Sequence, residues 1–134
     1  MKKVFESTYQ TIFYDSLSDT LTKKWNPMSS AMDEDVFKKE VLEIVQMVGR
    51  HQPKNVLDDT QNFRFTITSD LQDWVNSEVL PSFIENGIKK YAVVVSEEIF
   101  SKVSIEQTLR DQDSPIQNRY FDSDTDARLW LNEN

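Results

Sequence analysis

The sequence contains no cysteine and only two glycines, Gly49 and Gly87, among its 134 residues. Without thiols the chain has no disulfide, thiolate zinc site, iron–sulfur cluster or cysteine nucleophile. Loops that cradle phosphate need several closely spaced glycines, because the backbone must approach the ligand and adopt positive φ angles. The P-loop, the G-x-G-x-x-G fingerprint and the G-x-S-x-G nucleophile elbow are therefore all excluded.

Positive charge is also scarce, since 15 Lys and Arg residues face 23 Asp and Glu residues and the net charge is -8. Such a surface repels nucleic acid and anionic lipid, so we expect neither as a partner. No run approaches the ~20 apolar residues that span a bilayer, and Met1–Glu6 turns polar before a signal-peptide apolar region develops. We expect a cytoplasmic protein without a membrane segment.

The composition and length fit a single globular domain over residues 1–134, with 38% hydrophobic residues and 11% aromatic residues. Its longest apolar run is Tyr91–Val95, which includes three consecutive valines. Valine favours extended backbone, and the lack of polar alternation indicates that both faces of this strand are covered. The run therefore predicts a buried central strand, with a helix stop at Gly87 before it and a helix start at Ser96 after it.

Short extended segments are predicted near the amino terminus at Val4–Ser7, Thr11–Tyr14 and Thr20–Trp25, the last two forming a β-hairpin. A helix then follows, with a capping-box spacing from Ser30 to Asp33 and an apolar stripe at helical period. We expect Gly49 to end this helix.

The middle of the chain predicts a short strand at Asn55–Asp59. Apolar and polar residues alternate over Phe63–Thr68, which is compatible with either a strand or an extended packed loop. A second helix is predicted to begin at Ser69, to kink or restart at Pro81 and to end at Gly87.

The last third predicts a helix over residues 97–111 with a break near Val103 or Ser104. A final strand follows at Gln117–Phe121. Ser123 and Asp126 have capping-box spacing, which predicts a terminal helix that buries Ala127, Trp130 and Leu131.

These elements predict an α/β fold: a mixed sheet with an N-terminal antiparallel hairpin and consecutive parallel strands. The order of elements, with the segments Val94–Phe100, Ser104–Thr108 and Arg119–Asp122, resembles the STAS superfamily, whose fold is that of the stage II sporulation AA-like anti-sigma-factor antagonists. It is also similar to small bacterial STAS/SEC14-domain proteins. The resemblance implies a β/α superhelix with helices mainly on one face, and partner recognition without enzymatic activity.

Asp58, Asp59 and Thr60 are candidate ligand-binding residues because they follow a strand whose carboxyl end lies where open α/β sheets bind ligands. Ser96 joins them at the end of the next strand. Paired carboxylates also bind Mg²⁺, share a proton or accept a phosphoryl group. The alternative, which we favour, is that one acid caps a turn and the other is solvated, with no metal or cofactor present.

The hydroxyl groups of Thr66, Thr68 and Ser69 are candidate partner-binding or modification sites at the start of a helix, where phosphate is electrostatically favoured. In the antagonists that the sequence resembles, a Ser or Thr in an Asp-Ser-Gly-like motif of this region is phosphorylated. Thr66–Asp70 supplies the hydroxyls without that Asp or Gly. The alternative role of Ser69 is simple N-capping.

Two further groups receive structural interpretations. His51, the only histidine, is interpreted as a cation near a helix C-terminus because no neighbouring residue would orient it as a catalytic base. The aromatic residues, including Trp25 and Trp74, are interpreted as core rather than as the lining of a ligand cavity.

The sequence thus favours a non-enzymatic protein-interaction or regulatory module with an unidentified protein partner. The alternative is a small-molecule or anion-binding domain at the carboxyl ends of the parallel strands. A sheet edge left exposed by the N-terminal hairpin offers a surface for a homodimer, so monomer and dimer are both open.

Overall fold

The computed structural model describes residues 1–102 and 115–133, which form a mixed sheet of six strands lying side by side in chain order. The strands are β1 (Lys2–Glu6), β2 (Gln10–Asp15), β3 (Thr20–Trp25), β4 (Asn55–Asp59), β5 (Lys90–Val94) and β6 (Gln117–Phe121). The first three strands pair antiparallel, and β3 to β6 pair parallel. The predicted α/β fold is therefore confirmed.

Helices connect and flank the parallel strands. They are α1 (Glu34–His51), α2 (Ser69–Trp74), a π-helical turn (Val75–Val79), α3 (Leu80–Glu85), α4 (residues 97–102) and α5 (Asp124–Leu131), with a 3₁₀ turn at Pro27–Ala31. The rest of the helix predicted over residues 97–111, including its break, lies outside the described residues. Within the described part of the chain, no helix is both long enough and apolar enough to cross a bilayer.

Both ends of α1 differ from the prediction. The N-cap is Asp33, whose side chain accepts a hydrogen bond from the Val36 N–H, so the predicted cap at Ser30 is wrong. The helix also continues through Gly49 to His51 and ends at Gln52, which adopts the left-handed conformation with φ of 45°. Glycine in a helix weakens it without stopping it, so α1 ends where the following Pro53 prevents further helix.

The apolar run Tyr91–Val95 lies in the interior of the sheet, since β5 pairs with β4 on one side and with β6 on the other. Its strand spans Lys90–Val94. The most buried strand is its neighbour β4, where all five residues are buried. The sequence predicts this strand with the correct bounds but not its complete burial, because Asp58 and Asp59 are charged residues that rarely lie in a core.

The sheet presents two buried faces, because successive strand residues point in opposite directions. One face carries Val56 and Tyr91 and packs against α1, α2 and α3. The other carries Leu57 and Ala92 and packs against α5. The helices therefore lie mainly on one face, as predicted, and we call that face the α1 face and the opposite one the α5 face.

The alternating segment Phe63–Thr68 is an extended loop that pairs with no strand among the described residues. Its Phe63 and Phe65 side chains pack on Phe37, with ring centroids 6.4 Å and 5.1 Å away. Phe63 also lies 5.0 Å from the ring of Trp25. The alternation in the sequence thus reflects one buried side of a loop that runs over the end of α1.

Candidate functional site

A cavity of about 360 Å³ lies on the α1 face, between the parallel strands and the helices that cover them. Its sheet side is formed by Lys23, Trp25, Asp58, Tyr91, Val93 and Tyr120. Its helical side includes Val41, Ile44, Val75, Val79 and Phe83. The cavity reaches the surface at Ile67 and Ile99, which line it and are 39% and 48% exposed. It is therefore a mainly apolar pocket with a side open to solvent.

Three polar side chains meet at the sheet side of this pocket. The Lys23 Nζ lies 3.4 Å from the Asp58 Oδ2, and both side chains are nearly buried, at 9% and 12% exposure. The Tyr91 hydroxyl donates a hydrogen bond of 2.7 Å to the same oxygen. The Lys23 ammonium also lies 5.3 Å from the centre of the Trp25 ring, a cation–π distance. We call Lys23, Asp58 and Tyr91 the polar cluster.

Strand register brings the polar cluster together. Lys23 of β3 lies directly beside Asp58 of β4, and Val56 of β4 lies beside Tyr91 of β5. Because residues two apart in a strand share a face, Asp58 and Val56 both point to the α1 face. The side chain of Tyr91 then reaches along the face to the carboxylate in the neighbouring strand.

The environment of Tyr91 favours its protonated form. Burial raises the pKa of its phenol well above the ordinary value, and the charge of Asp58 and the hydrogen bond to it raise the pKa further. The phenol therefore stays a hydrogen-bond donor throughout the physiological pH range. The second oxygen of the carboxylate, Asp58 Oδ1, is buried and has no hydrogen-bond partner among the described residues.

The helical cover of the pocket contains an irregularity. Between α2 and α3 the Leu80 N–H donates to the Val75 carbonyl, five residues earlier, which makes Val75–Val79 a π-helical turn. Pro81 follows immediately and has no N–H to continue the α-helical ladder, so the predicted restart at Pro81 is confirmed. Both Val75 and Val79 line the pocket, and π-helical turns are frequent at functional sites.

The structure separates the three candidate residues at the end of β4. Asp58 lines the pocket, whereas Asp59 lies on the opposite face and its Oδ1 accepts a 3.1 Å hydrogen bond from the Gln61 N–H. Asp59 is thus the predicted turn cap. The prediction that the other acid is solvated is wrong, because Asp58 is buried against Lys23. Thr60 also lines the pocket, and its hydroxyl donates to the Val94 carbonyl at 2.9 Å.

The remaining candidate residues do not line the pocket. Thr66, Thr68 and Ser69 are exposed, and Thr68 rather than Ser69 is the N-cap of α2, its hydroxyl accepting a 3.3 Å hydrogen bond from the Leu71 N–H. The predicted cap at Ser69 is therefore wrong by one residue. Ser96 accepts a 3.3 Å hydrogen bond from the Ile99 N–H, which is the role of an N-cap of α4.

His51 is not the cation that the sequence indicated. Its ring stacks on Tyr14 with centroids 4.5 Å apart, and its Nε2 is buried without a hydrogen-bond partner among the described residues. Burial lowers its pKa below 6.5, and the charges of Arg50 and Lys2 lower the pKa further. Desolvation therefore outweighs the helix C-terminus, and the imidazole is neutral at pH 7.

Two members of the polar cluster, Lys23 and Tyr91, were absent from the sequence-based candidates. A pair of adjacent lysines such as Lys23–Lys24 is usually found at a solvated end of a strand, so the pair alone does not single out Lys23. The signal that identifies Lys23 is its parity with Leu21 and Trp25, since all three share one face of β3. A lysine on an apolar face beside a strand with an acid on the same face predicts a buried ion pair.

The interpretation of the aromatic residues as core was incomplete. Trp25 and Phe37 are buried, and both also line the pocket. The same side chains thus form part of the core and one wall of a cavity. Their periodic spacing distinguishes a buried face from an exposed one, but it does not reveal whether helices fill the space above that face completely.

Among residues 1–102 and 115–133, no three Asp, Glu or His side chains group closely enough to hold a metal ion. Comparisons of the chain with protein-family models, with curated proteins and with solved structures found no match. The resemblance to the STAS superfamily stays a prediction, and the pocket is the feature from which we infer a function.

Proposed function

We propose that this protein binds a small, mainly apolar molecule in the pocket of the α1 face, with the polar cluster contacting the polar end of that molecule. The observation that supports this proposal is the combination of a cavity of about 360 Å³ with a buried carboxylate, Asp58, one oxygen of which accepts no hydrogen bond from the described residues. Small-molecule sites typically have volumes of about 300–1,000 Å³, apolar walls and a few polar groups that fix orientation.

Energetic considerations support a retained binding site over a packing defect. Protein cores are close-packed, and unfilled volume forfeits both dispersion contacts and hydrophobic stabilisation. A volume of 360 Å³ corresponds to about twelve water molecules, far more than the small voids of an ordinary core. A carboxylate oxygen without a donor adds a further cost of burial. A ligand that fills the apolar volume and donates to Asp58 would offset both.

The proposal is for binding without catalysis. The two charged groups that line the pocket within the described part of the chain, Lys23 and Asp58, are paired with each other. The Thr60 hydroxyl is engaged with a backbone carbonyl, and His51 does not line the pocket. The regulatory-module hypothesis based on Thr66, Thr68 and Ser69 remains a prediction, and the pocket favours the small-molecule alternative.

A neutral apolar fluorophore, Nile red, tests this proposal. We expect saturable fluorescence enhancement with the unmodified protein. Ile67→Trp should weaken Nile red binding at least tenfold, because Ile67 lines the pocket at its exposed side and a larger ring there occludes it. Leu80→Trp is the matched control, since Leu80 is also 39% exposed and does not line the pocket.

Circular dichroism should show the same secondary structure for both variants. Equal Nile red affinity for the Ile67→Trp and Leu80→Trp variants would place the probe elsewhere on the surface and contradict the proposal. Absence of saturable binding to the unmodified protein would contradict it as well.

A further inference from the structure

The chemistry of the polar cluster narrows the class of ligand, an inference that rests on the proposed function. Asp58 directs one carboxylate oxygen, Oδ2, to both Tyr91 and Lys23, at 2.7 Å and 3.4 Å. The other oxygen, Oδ1, is buried and accepts no hydrogen bond from the described residues. A buried carboxylate oxygen is strongly stabilised by a donor, so the cluster is complementary to a hydroxyl or N–H group.

Lys23 supplies hydrogen-bond donors for the ligand, whereas Asp58 supplies an acceptor. An ammonium group has three donors, and the contacts of Lys23 within the described residues are one carboxylate oxygen and the face of Trp25. Donor capacity therefore remains for an acceptor atom of the ligand. A hydroxyl group satisfies both requirements with one oxygen, because it donates its proton and accepts through its lone pairs.

The charge balance of the pocket argues for a neutral ligand. Among the described residues that line it, Lys23 and Asp58 are the charged side chains, and their charges sum to zero. A carboxylate or ammonium group on the ligand would leave one charge without a partner in a largely apolar cavity, which is costly. Protein-wide charge adds to this preference, since the net charge of -8 repels anions.

We infer that the pocket selects neutral alcohols or phenols with an apolar body, whose hydroxyl group donates to Asp58 Oδ1 and accepts from Lys23 Nζ. The apolar body lies against aromatic and aliphatic walls that include Trp25, Phe63 and Phe83. Tyr91 holds the carboxylate in place through Oδ2 and leaves Oδ1 for the ligand.

Three compounds with the same bicyclic ring test the inference by isothermal titration at pH 7: 2-naphthol, 2-methoxynaphthalene and 2-naphthoate. The methoxy compound keeps the acceptor and lacks the donor, and the naphthoate is an anion. We expect 2-naphthol to bind at least tenfold more tightly than either of the others. The double variant Lys23→Met/Asp58→Leu, which replaces the pair with apolar side chains, should bind 2-naphthol and 2-methoxynaphthalene with similar affinity.

The outcomes separate this inference from the proposed function. If 2-methoxynaphthalene equals 2-naphthol while Ile67→Trp weakens both, the pocket binds ligands and the hydroxyl inference is wrong. Tighter binding of 2-naphthoate would show recognition of anions by Lys23 and would also overturn it. If none of the three compounds and no Nile red binds saturably, the proposed function itself fails.

Discussion

The two faces of the sheet use consecutive residues of the same strand in different ways. Leu57 points to the α5 face, where it is fully buried with Ala92, Val94, Phe121, Ala127, Trp130 and Leu131. Asp58, the next residue, points to the α1 face, where it meets Lys23 and Tyr91 beside a cavity. The α5 face therefore has an apolar core cluster beside which the buried Asp59 caps a turn, whereas the α1 face combines an apolar core with a buried ion pair and open volume.

The polar cluster is therefore not required for these strands to form a sheet. The α5 face demonstrates that apolar residues can cover the same strands. Because desolvation offsets much of the attraction within a buried ion pair, apolar replacements of such pairs are often as stable or more stable. Stability therefore does not by itself explain the charges on the α1 face, whereas the ligand that we propose would give them a role.

The largest expected effect comes from removing one member of the ion pair. Asp58→Ala leaves the Lys23 charge buried without its partner, which should lower the free energy of unfolding by about 3–5 kcal/mol. Urea denaturation followed by circular dichroism measures this change. The double variant Lys23→Met/Asp58→Leu should recover most of the lost stability while losing selectivity for 2-naphthol. A loss below about 1 kcal/mol in the single variant would contradict the burial of the pair.

The matching change on the other face is Leu57→Ala. Leu57 is 0% exposed, so truncation should cost roughly 2–5 kcal/mol through lost burial and a residual cavity. Unlike the Asp58 change, it should leave the affinity for Nile red within about twofold of the unmodified protein, measured where the variant is fully folded. A large change in affinity would show that the two faces of the sheet are energetically coupled.

The strand pattern explains how much of this fold the sequence predicts. Local signals are reliable where one physical cause dominates, as with Gln117–Phe121 and the Ser123 cap, which the structure confirms. They fail where two causes compete. Gly49 carries a stop signal, yet tertiary packing of α1 against the sheet extends the helix to His51, and Gln52 then takes the left-handed conformation.

The site was less predictable than the fold because it depends on register. Asp58 was identified from its position at the end of a strand, which needs only local sequence. Its pairing with Lys23 requires knowing that β3 and β4 are adjacent and parallel, with these two residues side by side. The cavity is harder still, since it reflects how helices α1, α2 and α3 meet over the sheet rather than the pattern of any one segment.

Tyr91→Phe perturbs the polar cluster less than Asp58→Ala does, because it removes one hydroxyl group and keeps the ring, whose centroid lies 6.2 Å from that of Phe83. Hydrogen bonds to charged groups contribute about 1.5–3 kcal/mol, so we expect a loss of this size in urea denaturation. Tyr14→Phe is the matched control, because the Tyr14 hydroxyl donates a 2.7 Å hydrogen bond to Asp19 and Tyr14 does not line the pocket. Equal losses in the two variants would argue against a specific role of the Tyr91 hydroxyl.

The cap of α2 provides a smaller effect on the helical cover of the pocket. Thr68→Ala removes the hydroxyl that accepts from the Leu71 N–H, which should cost about 1 kcal/mol. Ser69→Ala changes the first residue of the helix and should be nearly neutral, making it the matched control. Urea denaturation distinguishes the two variants. A greater loss of unfolding free energy for Ser69→Ala than for Thr68→Ala would indicate that Ser69 caps α2, as predicted from the sequence.

The smallest effect concerns His51, which lies on the α1 face against Tyr14 without lining the pocket. Its pKa is lowered below the usual 6.5, mainly by burial, so the unfolded chain binds this proton more readily than the folded chain. The stability that neutral His51 contributes is complete above pH 6.5 and declines as the pH falls through the folded pKa. Relative to His51→Gln, the unmodified protein should therefore lose stability below pH 6.5, as measured by urea denaturation across a pH series.

Nile red affinity should follow the same pH profile in both proteins, because the polar cluster contains no histidine. A difference between these binding profiles would mean that protonation of His51 changes the affinity of the pocket for Nile red. The packing around His51 and the pocket would then be energetically coupled across the α1 face.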